Sequence, residues 1–264
     1  MNRLGHVYLI GAGPGDPELL TLKAARLLKT ADAVVHDRLV SPEILALVAP
    51  GARMFPVGKA PKSHPVPQDE INALLVRLAG EGKCVVRLKG GDPFIFGRGS
   101  EEAFELLAAG VPFDVVPGIT AAQGCAAAAR VPLTHRGLAS GVRYVTGHCR
   151  ADMPLDLDWK SLADPDTTLV VYMGAASIGE ISRKLRGAGL DAGTPALAIS
   201  NGTTPRESRV LARLDTIEAA TRAAAFSGPV LFFIGRVAGL HAQVPCPTVA
   251  ALGLRTGTRA TLHA

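Results

Sequence analysis

The sequence predicts an α/β protein made of two strand-and-helix halves, and three observations carry that prediction. Short β-branched runs alternate with stretches of helical apolar period. Several of those runs end in glycine-rich turns. The composition is 48% apolar, 19% charged and only 5% aromatic, with abundant Ala, Val and Leu, as suits a folded α/β core. A chain of 264 residues is long enough for one large domain or two moderate ones.

In chain order, Val7 to Ile10 reads as a buried strand, and Gly11-Ala-Gly-Pro-Gly15 turns the chain. Asp16 is placed to cap a helix with Pro17 at its first position, and Leu19, Leu20, Leu27 and Leu28 mark its apolar face. Ala33 to Val35 is a second strand, ending at His36-Asp37-Arg38. The spacing of Ile71, Leu74, Leu75 and Leu78 predicts a helix over 69–79 that Asp69 opens and Gly80 stops. Val85 to Leu88 is a strand that feeds the loop Lys89-Gly-Gly-Asp-Pro-Phe-Ile-Phe-Gly-Arg98. A helix capped by Ser100 follows, carrying Phe104, Leu106 and Leu107. Phe113 to Val116 is the next strand and ends at Pro117-Gly-Ile-Thr-Ala-Ala122. Such alternation implies a mostly parallel sheet with helices on both faces.

From about Arg130 the texture changes to a turn-rich connector, Val131-Pro-Leu-Thr-His-Arg-Gly137. Further strands are expected at Val142 to Thr146, Leu169 to Met173, Ala196 to Ile199, Arg209 to Leu211 and Val230 to Ile234. A helix from Ser177 to Arg186 is expected to start in a capping box of Ser177 and Glu180, with Ile178, Ile181 and Leu185 on one face. Another covers 216–225. The economical reading is an N-terminal α/β domain over 1–132, a C-terminal α/β domain over 133–245 with a cleft between them, and a loosely attached tail over 246–264.

The net charge of +5 favours an acidic ligand. No block of like charges and no basic–aromatic alternation appears, which argues against nucleic acid. Cys84, Cys125, Cys149 and Cys246 are scattered, without a Cys-x-x-Cys pair or histidines at ligand spacing, so free thiols and no metal are expected. The chain enters a strand almost at once, and no apolar run approaches the ~20 residues that span a bilayer. A cytoplasmic protein with no membrane partner is the expectation.

The loop after Val85 to Leu88 is the most specific feature. Glycines let a ligand approach the main chain, Pro93 fixes the turn, and loops at the carboxyl ends of strands in open α/β sheets are where small molecules bind. Asp92 is suited either to cap the turn or to accept hydrogen bonds from a ligand. Arg98, between Gly97 and Gly99, gains nothing for packing there and suits a bidentate grip on a carboxylate. His36-Asp37-Arg38, Thr134-His-Arg136 and Thr146-Gly-His148 place more cationic groups at strand ends. Gly11-Ala-Gly-Pro-Gly-Asp16 fits a dinucleotide fingerprint poorly. Asp16 stands where its third glycine belongs, Pro14 removes a donor, and a carboxylate opposes a pyrophosphate. No hydrolase triad order, H-E-x-x-H or P-loop motif appears.

These segments resemble the tetrapyrrole methylases, and among them the branch acting on uroporphyrinogen III. The matching pieces are V-Y-L-I-G-A-G-P-G-D-P-E-L-L-T-L-K-A, V-V-H-D-R-L-V-S, R-L-K-G-G-D-P-F-I-F-G-R-G-S-E-E, V-P-G-I-T-A-A, P-L-T-H-R-G and V-T-G-H, with a weaker match to about Gly235. The resemblance implies the two-domain fold of class III methyltransferases, usually a homodimer. It also implies S-adenosylmethionine in the interdomain cleft and methylation of uroporphyrinogen III at C-2 and C-7 to precorrin-2 by way of precorrin-1. It places Pro14, Gly90, Gly91, Asp92, Ile95, Thr120, Ala121, Met173, Gly202 and Val230 around the cofactor, and Arg38, Arg98, Glu101, Arg136 and His148 against the tetrapyrrole. Ser100 stands where Gly is common, and positions 202 and 230 are often Ala. The carboxylate rim of the substrate accords with the arginines. A sulfonium donor accords with the absent phosphate cradle. The family makes Arg98 the proton acceptor, but a guanidinium with a pKa above ~12 is a poor base, so orienting a carboxylate and stabilising developing charge suits it better.

Overall fold

The computed structural model describes residues 4–58, 66–148 and 155–243. The expected tail over 246–264, Cys149 and Cys246 lie outside the described residues. The first half contains β1 (His6–Gly11), α1 (Leu22–Leu28), β2 (Ala33–His36), α2 (Pro42–Leu45), β3 (Arg53–Pro56), α3 (Gln68–Gly80), β4 (Cys84–Lys89), α4 (Gly99–Ala108), β5 (Phe113–Val116) and α5 (Ala121–Ala129). The second contains β6 (Gly141–Thr146), α6 (Trp159–Leu162), β7 (Thr167–Tyr172), α7 (Ile178–Gly187), β8 (Pro195–Ser200), β9 (Ser208–Arg213), α8 (Ile217–Ala223) and β10 (Val230–Ile234), then a 3-10 run over Arg236–Gln243.

The first sheet is wholly parallel, in the order β3-β2-β4-β1-β5. Its strands alternate sides, as period-two geometry requires. Val7, Leu9, Val35 and Val85 meet Ile71, Leu75 and Leu78 of α3 and Leu106 of α4, while Ile10, Val34, Val86 and Leu88 meet Leu27 and Leu28 of α1 and Ile44 of α2. Helices therefore cover both faces, as the alternation implied. The second sheet, β6-β7-β10-β8-β9, is mixed: β6 and β7 run parallel, and the other pairs are antiparallel. Helix α5, which follows the first sheet in the chain, packs Ala122, Cys125, Ala126 and Ala129 against Val170, Leu197 and Phe233 of the second. Its alanines and Gly124 let it lie close.

Several local expectations are corrected. Asp16 caps only a 3-10 turn over Pro17–Leu19, accepting from the Glu18 amide; α1 starts six residues later, with Thr21 accepting from the Ala24 amide. Leu19 and Leu20 therefore do not share a helix with Leu27 and Leu28. Helix α4 begins at Gly99 behind Arg98 in a left-handed conformation, so Ser100 is inside the helix and not its cap. Of the three apolar residues expected to mark it, Leu106 is buried, and Phe104 and Leu107 are 70% and 67% exposed. The capping box of Ser177 and Glu180 does not form, because the Ser177 hydroxyl donates to the Gly147 carbonyl at 2.7 Å. A long-range partner outcompetes the local one. The edge strand β3 and helix α5 carry too little periodic pattern to be expected from sequence.

Phe232 sits at the centre of the second core, fully buried. Phe232→Ala is expected to cost about 3–5 kcal/mol in urea denaturation. Leu22→Ala, at a side chain 91% exposed, is expected to stay within about 0.5 kcal/mol of the parent.

Candidate functional site

The carboxyl end of β1 is central among the loops. β1 lies between β4 and β5, so the Gly11–Gly15 turn lies between the loops that follow those two strands. The turn and the β4 loop are joined by main chain alone: Gly13 donates to the Gly91 carbonyl at 3.1 Å and Gly91 to the Gly13 carbonyl at 2.8 Å. A Cβ on Gly11 would stand 2.5 Å from the Gly118 Cα, and one on Gly118 would collide with the Gly91 carbonyl oxygen. Gly11 and Gly118 are required by contact, because no side chain fits between the strand ends, and Gly91, at φ 69°, is favoured by its left-handed backbone.

The Asp92 carboxylate holds this arrangement. One oxygen accepts from the Phe94 amide at 2.8 Å and the other from the Gly118 amide at 3.0 Å. Of the two roles open to it in the sequence, the structure shows the turn-capping one, extended across to the β5 loop. The second sheet is connected at the same place. The Tyr172 hydroxyl, at the end of β7, accepts from the Ala122 amide and donates to the Thr120 hydroxyl, both at 3.1 Å. Its ring lies 4.9 Å from Phe96 and 5.8 Å from Tyr144, centroid to centroid. The Asp16 amide reaches the Thr203 hydroxyl, and Pro14 packs where a Gly124 side chain would be.

Of the residues expected around a cofactor, Pro14, Gly90, Gly91, Asp92, Ile95, Thr120 and Ala121 thus share one set of touching loops. Met173 follows Tyr172 and is half exposed. Gly202 approaches α5 so closely that its missing Cβ would collide with the Cys125 sulfur. Val230 is set apart: its side chain is buried on the α7 side of the second sheet and lines a separate cavity of about 330 Å³ with Ile178, Gly179 and Phe226. Strain concentrates in the loop cluster as well. Phe96, Arg98, Met173, Asn201 and Thr203 have φ between 49° and 65°, a region that disfavours non-glycine residues and marks functional loops.

Among the residues expected to face a tetrapyrrole, Arg38, Arg98, Glu101, Arg136 and His148 are all exposed. Glu101 grips Arg98 through two hydrogen bonds of 2.8 and 2.6 Å. That bonding raises the Arg98 pKa above its ordinary value. Arg38 adjoins Leu39, whose Cβ occupies the space beside Gly90. His148 follows β6, whose last residue Thr146 pairs with Tyr172. Arg136 lies on a tight turn in which His135 and Ala139 exchange main-chain hydrogen bonds.

Sequence reasoning missed Tyr172, an aromatic residue with no motif of its own and the ring partner of Phe96 in the loop, and a buried ionic cluster beneath the loop. Arg87, Lys89 and Glu102 are 2%, 2% and 0% exposed, and Arg87 also binds Asp37 at 2.6 Å. The one signal was two cations at alternate positions of an otherwise apolar strand. Cys125 is no nucleophile: burial pushes its thiol up to about 12. Among the described residues no cluster suits a metal ion, and no helix is long and apolar enough to cross a membrane.

Known proteins agree with this geometry. Residues 6–218 match the family model of tetrapyrrole (corrin/porphyrin) methylases. The chain is 58% identical over 244 residues to a uroporphyrinogen-III C-methyltransferase of Paracoccus denitrificans, covering 92% of this chain and 85% of that protein. It is 53% identical to a siroheme synthase of Azotobacter vinelandii over 90% of its own length but only 51% of the other, so the chain spans about half of that larger protein. A uroporphyrin-III C-methyltransferase from Thermus thermophilus, solved with S-adenosyl homocysteine, superposes with a TM-score of 0.76 at 45% identity, over 89% of this chain and all of that one.

The contact of Gly202 with Cys125 gives a stability test. Gly202→Ala alone is expected to destabilise the protein by about 1–3 kcal/mol through overpacking. Adding Cys125→Ala, which opens the space for the new methyl group, is expected to recover most of that loss in the same urea titration.

Proposed function

The chain belongs to the tetrapyrrole methylase family, and on that premise we propose that it is an S-adenosylmethionine-dependent C-methyltransferase converting uroporphyrinogen III to precorrin-2, by methylation at C-2 and C-7 through precorrin-1. One observation carries the reading: a single loop, 89–102, supplies both the glycine backbone of a donor pocket and the arginine of an acceptor grip. The pocket lining suits the donor. It offers close main chain at Gly13, Gly91 and Gly118, the Thr120 hydroxyl, and apolar Ile95 and Met173. The nearest buried cation, Lys89, is turned away to Glu102, so it does not oppose a sulfonium.

S-adenosylmethionine supplies an electrophilic methyl group. The protein's part is to align the pyrrole carbon with it and to take up a proton. Arg98 orients a substrate carboxylate; its raised pKa makes it unfit as a base. Among the carboxylates at this edge, Asp92 is engaged by two amides, Glu101 by Arg98, Asp16 by its own turn, and Glu102 is buried. Asp37 differs in position: it follows β2, its side chain is 30% exposed, and a fixed Arg87 binds it through one oxygen, Oδ1. We assign it the proton that the acceptor loses after its electron pair has made the carbon–carbon bond and sulfur has kept the pair of the broken bond. Arg38, Arg136 and His148 complete a cationic rim for the acetate and propionate groups.

The two sheets support a division into domains near 132/133 with the site in the cleft between them, and α5 as the shared wall. A homodimer working in the cytoplasm, with no nucleic acid or membrane partner, completes the reading. The exposed Phe104 and Leu107, one helical turn apart on α4, favour a covered face, and light scattering is expected to give about twice the 27.4 kDa of the chain.

With methyl-labelled S-adenosylmethionine and uroporphyrinogen III, two labels are expected in each acceptor molecule. No transfer would reject the reading, and a later corrin intermediate as the better acceptor would redirect it. Arg98→Lys keeps the charge but loses the planar fork. It is expected to raise KM for the tetrapyrrole by about tenfold or more while leaving S-adenosylmethionine affinity unchanged.

A further inference from the structure

Beneath the functional loop the first sheet encloses three charges, Arg87, Lys89 and Glu102, where an apolar core would suffice. Val85, Arg87 and Lys89 lie on one face of β4, toward α3 and α4. Three donors converge on a single oxygen of the fully buried Glu102: Arg87 Nε at 2.9 Å, Lys89 Nζ at 2.8 Å and Gln68 Nε2 at 3.2 Å. The other Glu102 oxygen has no partner among the described residues. Gln68 is steadied by Asn72 at 2.9 Å. The rest of the Arg87 guanidinium faces β2: Nη1 contacts the Val35 and Leu88 carbonyls, and Nη2 donates to Asp37 at 2.6 Å.

We propose that Arg87, held by a Glu102 that Lys89 also binds, is a positioning residue that fixes the Asp37 carboxylate at the carboxyl edge of the first sheet for methyl transfer. This rests on the role given to Asp37 above. Buried ion pairs repay their desolvation poorly, and well-packed apolar residues often stabilise a core as well or better. Stability is thus a weak reason for this cluster, and its geometry points elsewhere. All three guanidinium nitrogens of Arg87 are engaged, so the group cannot turn. Its single outlet toward solvent is Asp37, whose own amide is tied to the Leu88 carbonyl at 3.2 Å. Glu102 sits in the first turn of α4, one residue after the Glu101 that grips Arg98. The same helical turn therefore braces the proton-accepting carboxylate from below and the substrate-orienting arginine from above.

The test compares wild type, Glu102→Gln, Arg87→Lys, Asp37→Asn and the double variant Glu102→Gln/Asp37→Asn. Turnover, KM for uroporphyrinogen III and calorimetric affinity for S-adenosylmethionine are measured for each. Glu102→Gln is expected to lower kcat by between about tenfold and about a hundredfold, with S-adenosylmethionine affinity within about twofold of wild type. The double variant is expected to lose little beyond Asp37→Asn alone, because residues acting as a unit are not additive. Should Glu102→Gln leave too little folded protein, Arg87→Lys carries the same expectation. Unchanged kcat in folded Glu102→Gln or Arg87→Lys would overturn the inference, as would losses that multiply in the double variant. An inactive wild type would instead overturn the functional reading itself, and this inference with it.

Discussion

The site depends on main chain touching main chain. Gly11, Gly91 and Gly118 bring three strand ends of one parallel sheet into van der Waals contact, and the paired bonds between Gly13 and Gly91 fix the spacing. Everything else at that edge is arranged around this contact. Asp92 bridges two of the loops because their amides are already within reach of one carboxylate. α5 starts close enough for its first amides to meet Tyr172 of the other sheet. A side chain at Gly11 or Gly118 would force these loops apart.

The second sheet is joined to this edge by a few specific contacts. Tyr172 uses both ends of its side chain, with the hydroxyl on the start of α5 and the ring on Phe96. Burial raises the Tyr172 pKa, so it stays a neutral donor and acceptor. Phe96 holds a left-handed backbone conformation two residues before Arg98, which does the same. Each such conformation costs on the order of 1–3 kcal/mol, and the aromatic contact offsets part of that cost. Methyl transfer requires donor and acceptor to be held in line, and a loop with two strained residues pinned by a ring supplies that rigidity.

The site was legible in the sequence where its physics is local. Glycines, a proline and an aspartate after an apolar run announce a strand-end loop, and the resemblance rested on those same residues. The parts that failed are those decided at a distance. Ser177 matches a capping-box pattern, but Gly147 lies nearer to its hydroxyl than the helix amides do. Phe104 and Leu107 look like core residues until the orientation of α4 is known. Arg87 and Lys89 carry charge at alternate positions of an otherwise apolar strand, and only the arrival of Glu102 from the next helix allows both to be buried. Val230 shows the same limit from the other side: the resemblance placed it at the cofactor, but its side chain packs in the core on the α7 side of the second sheet.

Alternation along one helical turn then separates what the chain needs for folding from what it needs for chemistry. Glu101 and Glu102 are neighbours of the same chemical type, and a helix rotates successive residues by about 100°. Glu101 therefore faces solvent with Arg98, over half of whose side chain is exposed and free to exchange partners, while Glu102 faces a core from which it cannot move. A salt bridge as exposed as the first contributes little to stability, so on the role proposed for Arg98 a substrate carboxylate would replace Glu101 at small cost. The second is buried, and burial depresses the Lys89 pKa, yet the amine stays bonded to Glu102. One turn of helix thus supplies an exchangeable contact for the ligand and a permanent one for the frame.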